Sequence, residues 1–161
     1  MPLPQLDQIL KLDPGNSIRA VKCLSLSEDY LQDHFPRFPV MPGVLMLEAL
    51  YQASAWLVRA TYDFDRPNVV LREARNVKYQ DFVAPGRQLV VEASIFKTDD
   101  FVVTLKVQGS IEDKVAVSGR LVLERVEPDQ VNSAMVALLP RTRMELREQL
   151  ALLQHGHIAS N

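Results

Sequence analysis

The sequence predicts an α+β domain in which a curled antiparallel β-sheet wraps around one long central α-helix. Three observations lead to this fold class. An almost wholly apolar helical segment spans residues 43–60, β-rich segments follow it over residues 68–126, and short polar joints separate the last three of these. A helix that is apolar on all sides must be enclosed, and a sheet curled around it is the simplest enclosure.

The residues before the helix predict a turn, a strand and an irregular loop. A short apolar pattern stops at the turn signal Asp13-Pro14-Gly15. The segment IRAVKCLSLS, residues 18–27, is rich in aliphatic side chains and predicts a strand in which Cys23 is buried. Prolines at positions 36, 39 and 42 then exclude regular structure, although Pro42 suits the first position of a helix.

The segments after the helix predict the sheet. They read NVVLREARNVKYQDFV, QLVVEASIFK, FVVTLKVQGS and KVAVSGRLVLERV. The joints TDD and IEDK are short enough for hairpins, so we expect the last three strands to form an antiparallel meander. The segment APGRQ, residues 84–88, predicts a further turn.

The last residues are expected to form an extension, which divides the chain into a domain over residues 1–127 and an extension over 128–161. Apolar side chains recur among charges in RTRMELREQLALL, residues 141–153, and predict an amphipathic helix that starts after Pro140. Its arginines, Arg141, Arg143 and Arg147, fit a solvated helix face better than a contact with an acidic partner.

Composition and charge narrow the class of protein. A length of 161 residues suits one domain with a real core, and a net charge of -2 gives no reason to expect nucleic acid or a membrane surface as a partner. One cysteine excludes an internal disulfide. The first eleven residues lack signal-peptide features, and polar residues interrupt the apolar stretch 40–58, so we expect a cytoplasmic protein.

Glu48 and Gln52 are the polar residues that the helix places among apolar ones. They are four residues apart and therefore lie on one face. Desolvation by apolar neighbours is expected to raise the pKa of Glu48, which would make it a proton donor near neutral pH. The alternative is that Glu48 reaches solvent or an arginine at the edge of the sheet.

Two residues upstream add candidates for a base and for an oxyanion site. His34 is a possible base, although a single loop histidine is more often an exposed or hydrogen-bonded residue. Gly43, at the helix start, lets a ligand approach free backbone N–H groups that can stabilise negative charge. Phosphate-loop, G-x-S-x-G and C-x-x-C motifs are missing from the sequence, so nucleotide, serine hydrolase and zinc chemistry have no support.

Residues 34–52, which read H-F-P-x-x-P-x-x-P-G-V-L-x-x-E-x-x-x-Q, resemble the signature of the (3R)-hydroxyacyl-[acyl carrier protein] dehydratases of the FabZ type. The similarity extends over residues 7–126. It includes the lead-in LDPGNSIRAVKCLSLSEDYLQDHFP and the later segment NVKYQDFVAPGRQLVVEASI. Glutamate at position 48, rather than aspartate, favours this branch over the related dehydratase-isomerases.

The resemblance implies a hotdog fold and a homodimer in which His34 of one subunit faces Glu48 of the other. Family members often assemble such dimers as a trimer of dimers. The resemblance also implies dehydration of 3-hydroxyacyl thioesters carried on acyl carrier protein, in fatty acid biosynthesis, without metal or cofactor. His34 would take the α-proton, and Glu48 would protonate the departing hydroxyl. The substrate-binding residues would be Gly43, Val40, Gln52, Phe35 and Phe38, with the Gly43 amide on the thioester oxygen and the Val40 carbonyl on the histidine.

The chain departs from the family pattern in four places. Arg37-Phe38 replaces the usual glycine and basic residue after H-F-P, and MPLPQL stands where a longer N-terminal motif is common. Arg87 replaces the aspartate of the P-G-D turn, and the tail after Val126 is longer than usual.

Two other functions stay open at this point. One is another hotdog thioester activity, either an acyl thioesterase or a specialised acyl dehydratase, which the change at Arg37-Phe38 would suit. The other is a non-catalytic acyl-binding subunit. The presence of both His34 and Glu48 speaks against the second, because a silent subunit has no chemical need for either.

Overall fold

The computed structural model describes residues 4–33, 37, 39–127 and 133–155. These residues form one six-stranded antiparallel sheet, in the strand order β1-β2-β4-β5-β6-β3, and three helices. The bounds are β1 Gln8–Asp13, β2 Ser17–Cys23, α1 Tyr30–Asp33, α2 Gly43–Thr61, β3 Asn68–Tyr79, β4 Gln88–Asp99, β5 Val102–Ile111, β6 Lys114–Val126 and α3 Ser133–His155.

The α+β class and the meander are confirmed. Strands β4, β5 and β6 pair in sequence as antiparallel hairpins. Glu112 and Asp113 both have positive φ angles between β5 and β6, as a two-residue turn that matches strand twist requires. The predicted turns at residues 13–15 and 84–88 are also present, with Gly15 at φ 84° and Gly86 at φ 87°.

Helix α2 packs across the sheet and contacts every strand from β2 to β6. Ala49, Leu50 and Ala53 are fully buried against it, because small side chains let the helix lie close to the strands. The expectation that α2 is enclosed on all sides holds only for its C-terminal half. In its N-terminal half Val44 is 71% exposed, and Leu45 and Leu47 are only half-buried.

The C-terminal helix starts earlier than predicted. It begins at Ser133 and contains Pro140, so the expected start after Pro140 is wrong. A proline inside a helix removes one backbone hydrogen bond, but the flanking residues, SAMVALL and RTRMELR, are mostly good helix formers and sustain the helix on both sides. The Thr142 hydroxyl donates to the carbonyl oxygen of Leu138 across this point.

Arginines fix α3 to the turn that follows α2. Arg143 donates from Nε to the carbonyl oxygen of Phe64 at 2.8 Å and from Nη2 to that of Asp65 at 2.8 Å. Arg147 donates to the carbonyl oxygen of Asp63 at 3.2 Å. The prediction of a solvated face is therefore wrong for Arg143, which is half-buried against the turn after α2, whereas Arg147 is exposed as predicted and also binds this turn.

Cys23 is exposed, and the prediction that it is buried is wrong. It is the last residue of β2 and lies just past the buried run of residues 20–22, on the outer side of the strand. Its backbone N–H donates to Asp7 Oδ2 at 2.6 Å. Within the described part of the chain, no helix is long and apolar enough to cross a membrane.

Candidate active site

The start of α2 is held by contacts with the end of β3 and with the loop that follows it. The N–H of Met41 donates to the carbonyl oxygen of Val83 at 2.9 Å, and Val40 is buried. A Cβ atom on Gly43 would lie 3.1 Å from Cε1 of Tyr79, so glycine allows the tyrosine ring at the end of β3 to pack on the first turn. Helix α2 therefore begins beside β3, an edge strand of the sheet.

Glu48 and Gln52 are brought together as their spacing predicts. Nε2 of Gln52 donates to Oε1 of Glu48 at 3.0 Å, and both side chains are half-buried. Oε1 of Gln52 accepts the backbone N–H of Gln5 at 2.8 Å. Because the amide oxygen is occupied by that donor, the NH₂ group is turned toward the carboxylate, and Gln52 fixes the orientation of Glu48.

Gln5 belongs to the site, although no pattern in the sequence predicted it. It lies in MPLPQL, the segment that departs from the family pattern, 47 positions from Gln52. Its own side chain is fully buried, and among the described residues neither its Nε2 nor its Oε1 has a hydrogen-bond partner. A buried amide without a partner costs stability, so Gln5 is held in place by its backbone hydrogen bond to Gln52 and by packing rather than by its amide group.

Tyr51 and Arg59 lie on the same side of α2. The Tyr51 hydroxyl donates to the carbonyl oxygen of Val69, and Arg59 Nε donates to that of Pro67 at 2.9 Å. Burial raises the pKa of Tyr51, the Arg59 cation opposes this rise and the Glu48 carboxylate adds to it. Tyr51 therefore stays protonated at neutral pH and acts as a hydrogen-bond donor.

Not every predicted site residue can be placed. His34, Phe35 and Phe38 lie outside the described residues, and their roles stay predictions, as do those of Gly43 and Val40. Arg37 is exposed, and Arg87 pairs with Glu112 at the surface. Among the described residues, no three His, Cys, Asp or Glu side chains converge as a metal site would require.

The fold and the site define a class of protein, the hotdog proteins with a carboxylate on the central helix. A family profile described as FabA-like domain matches residues 1–120. The 3-hydroxyacyl-[acyl-carrier-protein] dehydratase FabZ of Ruminiclostridium cellulolyticum is 37% identical over 120 residues, 74% of this chain and 84% of that protein. The FabZ of Lactobacillus helveticus is 35% identical over 120 residues, 74% of this chain and 81% of that protein.

The chain therefore belongs to the FabA-like family and is of the FabZ type, which confirms the resemblance read from residues 34–52. Solved structures agree on the fold. The dehydratase heterocomplex ApeI:P from Xenorhabdus doucetiae has a TM-score of 0.66 at 19% identity and covers 82% of this chain and 89% of that one. Zebra fish thioesterase superfamily member 2 has a TM-score of 0.58 at 13% identity, covering 73% and 80%.

Proposed function

We propose that this protein dehydrates 3-hydroxyacyl thioesters carried on acyl carrier protein to trans-2-enoyl thioesters, in fatty acid biosynthesis. The observation that carries the proposal is the Glu48 carboxylate held by Gln52 on the central helix of a FabZ-type chain. A general acid must be held within reach of the group it protonates, and a fixed carboxylate on a rigid helix meets that need.

The proposed reaction divides between two subunits. His34 removes the proton from Cα, and the backbone N–H of Gly43 stabilises the enolate-like thioester oxygen. The C–O bond at Cβ then breaks, Glu48 gives its proton to the departing hydroxide, and the products are water and a trans-2 double bond. The carbonyl of Val40 holds the histidine tautomer, and Phe35 and Phe38 contribute to substrate binding, as the family resemblance implies. The reaction as proposed uses no cofactor.

We further infer that the protein is a homodimer joined along β3, a unit that the family resemblance allows to assemble as a trimer of dimers. At the other edge of the sheet, α3 packs against β1, whereas β3 has only β6 as a strand partner among the described elements. Strand β3 is twelve residues long, and Val70 and Leu71 are 40% and 38% exposed. Long exposed edges are templates for pairing with another chain.

We place the dimer in the cytoplasm.

The second candidate is another thioester reaction on the same scaffold, either a thioester hydrolysis or the dehydration of a specialised acyl chain. The change that favours it is Arg37-Phe38, next to the predicted base. Hydrolysis and dehydration use the Glu48 carboxylate in different ways. The variants Glu48→Gln and His34→Ala can therefore distinguish the two reactions.

The test is hydration of trans-2-enoyl chains on acyl carrier protein, measured as loss of the enoyl absorbance. We expect Glu48→Gln and His34→Ala each to lower the rate at least about a hundredfold, because each removes a proton-transfer group. Glu145→Gln is the matched control, since Glu145 is a half-exposed glutamate on α3. A wild type that is inactive on every chain length would overturn the proposal, and thioester hydrolysis that survives Glu48→Gln would favour the second candidate.

A further inference from the structure

A cavity of about 440 Å³ lies between α2 and α3. Its walls are mostly apolar, with Ala55 and Trp56 from α2 and Leu146, Leu152 and Leu153 from α3. A cavity of this size, apolar with a few polar groups, is typical of sites that hold small ligands.

The cavity adjoins the proposed catalytic carboxylate. Gln52 lines it and also donates to Glu48, so the cavity begins one helical turn beyond Glu48. Arg59 lines it as well, seven residues further along α2, which corresponds to about 10 Å of helix. The cavity therefore runs along two turns of the central helix, from Gln52, the partner of Glu48, to Arg59.

Arg59 is the last residue of α2 that lines the cavity. Its guanidinium carbon lies 5.1 Å from the centre of the Trp56 ring, and its Nε donates a hydrogen bond to the carbonyl oxygen of Pro67. Pushing an alkyl chain against a largely buried cation would remove the remaining water from it without supplying a hydrogen bond. An apolar ligand is therefore favoured up to Arg59 and disfavoured beyond it.

Helix α3 is a feature of this chain outside the region shared with its family. The family match ends at residue 120, whereas α3 begins at Ser133. Two arginines bind α3 to the turn after α2, as described above, and Leu146, Leu150 and Leu153 pack against the core. The side of the cavity that α3 forms is thus held in place by the arginine contacts, which lie outside the cavity.

We propose that this cavity receives the distal, methyl end of the acyl chain, and that Leu146, Leu152 and Leu153 of α3 limit the chain length the enzyme accepts. The inference rests on the proposed dehydratase function and names the substrate class that the same site takes, carrier-bound acyl chains long enough to reach α3. The hydrocarbon lining gives a longer chain more buried apolar surface than a four-carbon chain can find.

The experiment measures hydration of trans-2-enoyl-acyl carrier proteins with four, eight, twelve and sixteen carbons. We expect the wild type to prefer the longer chains. We expect Leu153→Trp, which fills the cavity, to lower the rate on the longest accepted chain at least about tenfold relative to the four-carbon chain. The matched control is Leu150→Trp, because Leu150 also packs from α3 against the core but does not line the cavity.

A second pair of variants, at exposed positions, distinguishes an effect on the cavity from a loss of folding. Leu152 lines the cavity and is 44% exposed, and Leu138 is 54% exposed on α3 away from the cavity. Leu152→Trp should shift the chain-length profile and Leu138→Trp should not. An active wild type without preference for longer chains, or an unchanged ratio of long-chain to short-chain rates in both cavity variants, overturns this inference and leaves the dehydratase proposal intact. A wild type inactive at all lengths overturns both.

Discussion

At the scale of single residues, the setting of Glu48 depends on a chain of two hydrogen bonds. Gln52 donates to the carboxylate, and the backbone of Gln5 fixes which way the Gln52 amide faces. The spacing of Glu48 and Gln52 was predictable because a helix places residues four apart on one face. The contribution of Gln5 was not, since no local pattern links residues 47 positions apart.

Gln52 is therefore expected to be a positioning residue. Gln52→Ala should lower kcat between about tenfold and a hundredfold, because a misdirected catalytic group loses its productive geometry. KM should change little, since the carboxylate itself remains. The measurement is steady-state hydration of an enoyl-acyl carrier protein.

The control for this variant is Gln108→Ala, at an exposed glutamine on β5. A rise in KM with kcat unchanged in Gln52→Ala would instead assign Gln52 to substrate binding alone.

At the scale of elements, α3 is attached by side chains that bind backbone carbonyl groups. Asp63 and Phe64 have φ angles of 52° and 58°, so the chain turns sharply after α2 and presents its carbonyls to Arg143 and Arg147. The amphipathic pattern of residues 141–153 predicted a helix here, and its apolar side does pack on the core. The pattern could not show that the basic side is also a contact surface.

The division of the chain at residue 127 stays a prediction.

We expect Arg143→Ala to lower the free energy of unfolding by about 1–2 kcal/mol, because it removes two hydrogen bonds from a charged donor. The measurement is urea denaturation followed by circular dichroism. Arg141→Ala is the matched control, and it should cost no more than about 0.5 kcal/mol, since Arg141 forms an exposed ion pair with Glu145 on the same helix. Equal losses in the two variants would show that the contact with the turn after α2 adds nothing.

At the scale of the whole molecule, the two edge strands of the sheet have different surroundings. Helix α3 covers β1, while β3 and the open N-terminal half of α2 lie together beside the Gly43–Tyr79 contact. This arrangement suits a protein whose site is completed by a second copy, with the partner's His34 brought toward Glu48 as the family resemblance implies.

The proposed homodimer can be tested by placing a charge on the edge strand β3. Leu71→Lys should convert the dimer to a monomer in gel filtration, because lysine on an edge strand opposes pairing. Activity should fall with it, since each site would lose the histidine of the other subunit. Leu138→Lys, at an exposed leucine on α3, should change neither. A Leu71→Lys protein that is monomeric and fully active would contradict a site shared between subunits.

The sequence by itself determined the central helix, the turns at residues 13–15 and 84–88, the meander of β4 to β6 and the pairing of Glu48 with Gln52. All of these follow from preferences and periodicities that act over a few neighbouring residues. Only the tertiary structure decided that β3 lies at the edge beyond β6, that Gln5 holds Gln52, and that α3 runs through Pro140 and closes a cavity against α2. Those features come from burial and hydrogen bonding between distant segments, which depend on how the whole chain packs rather than on any local pattern.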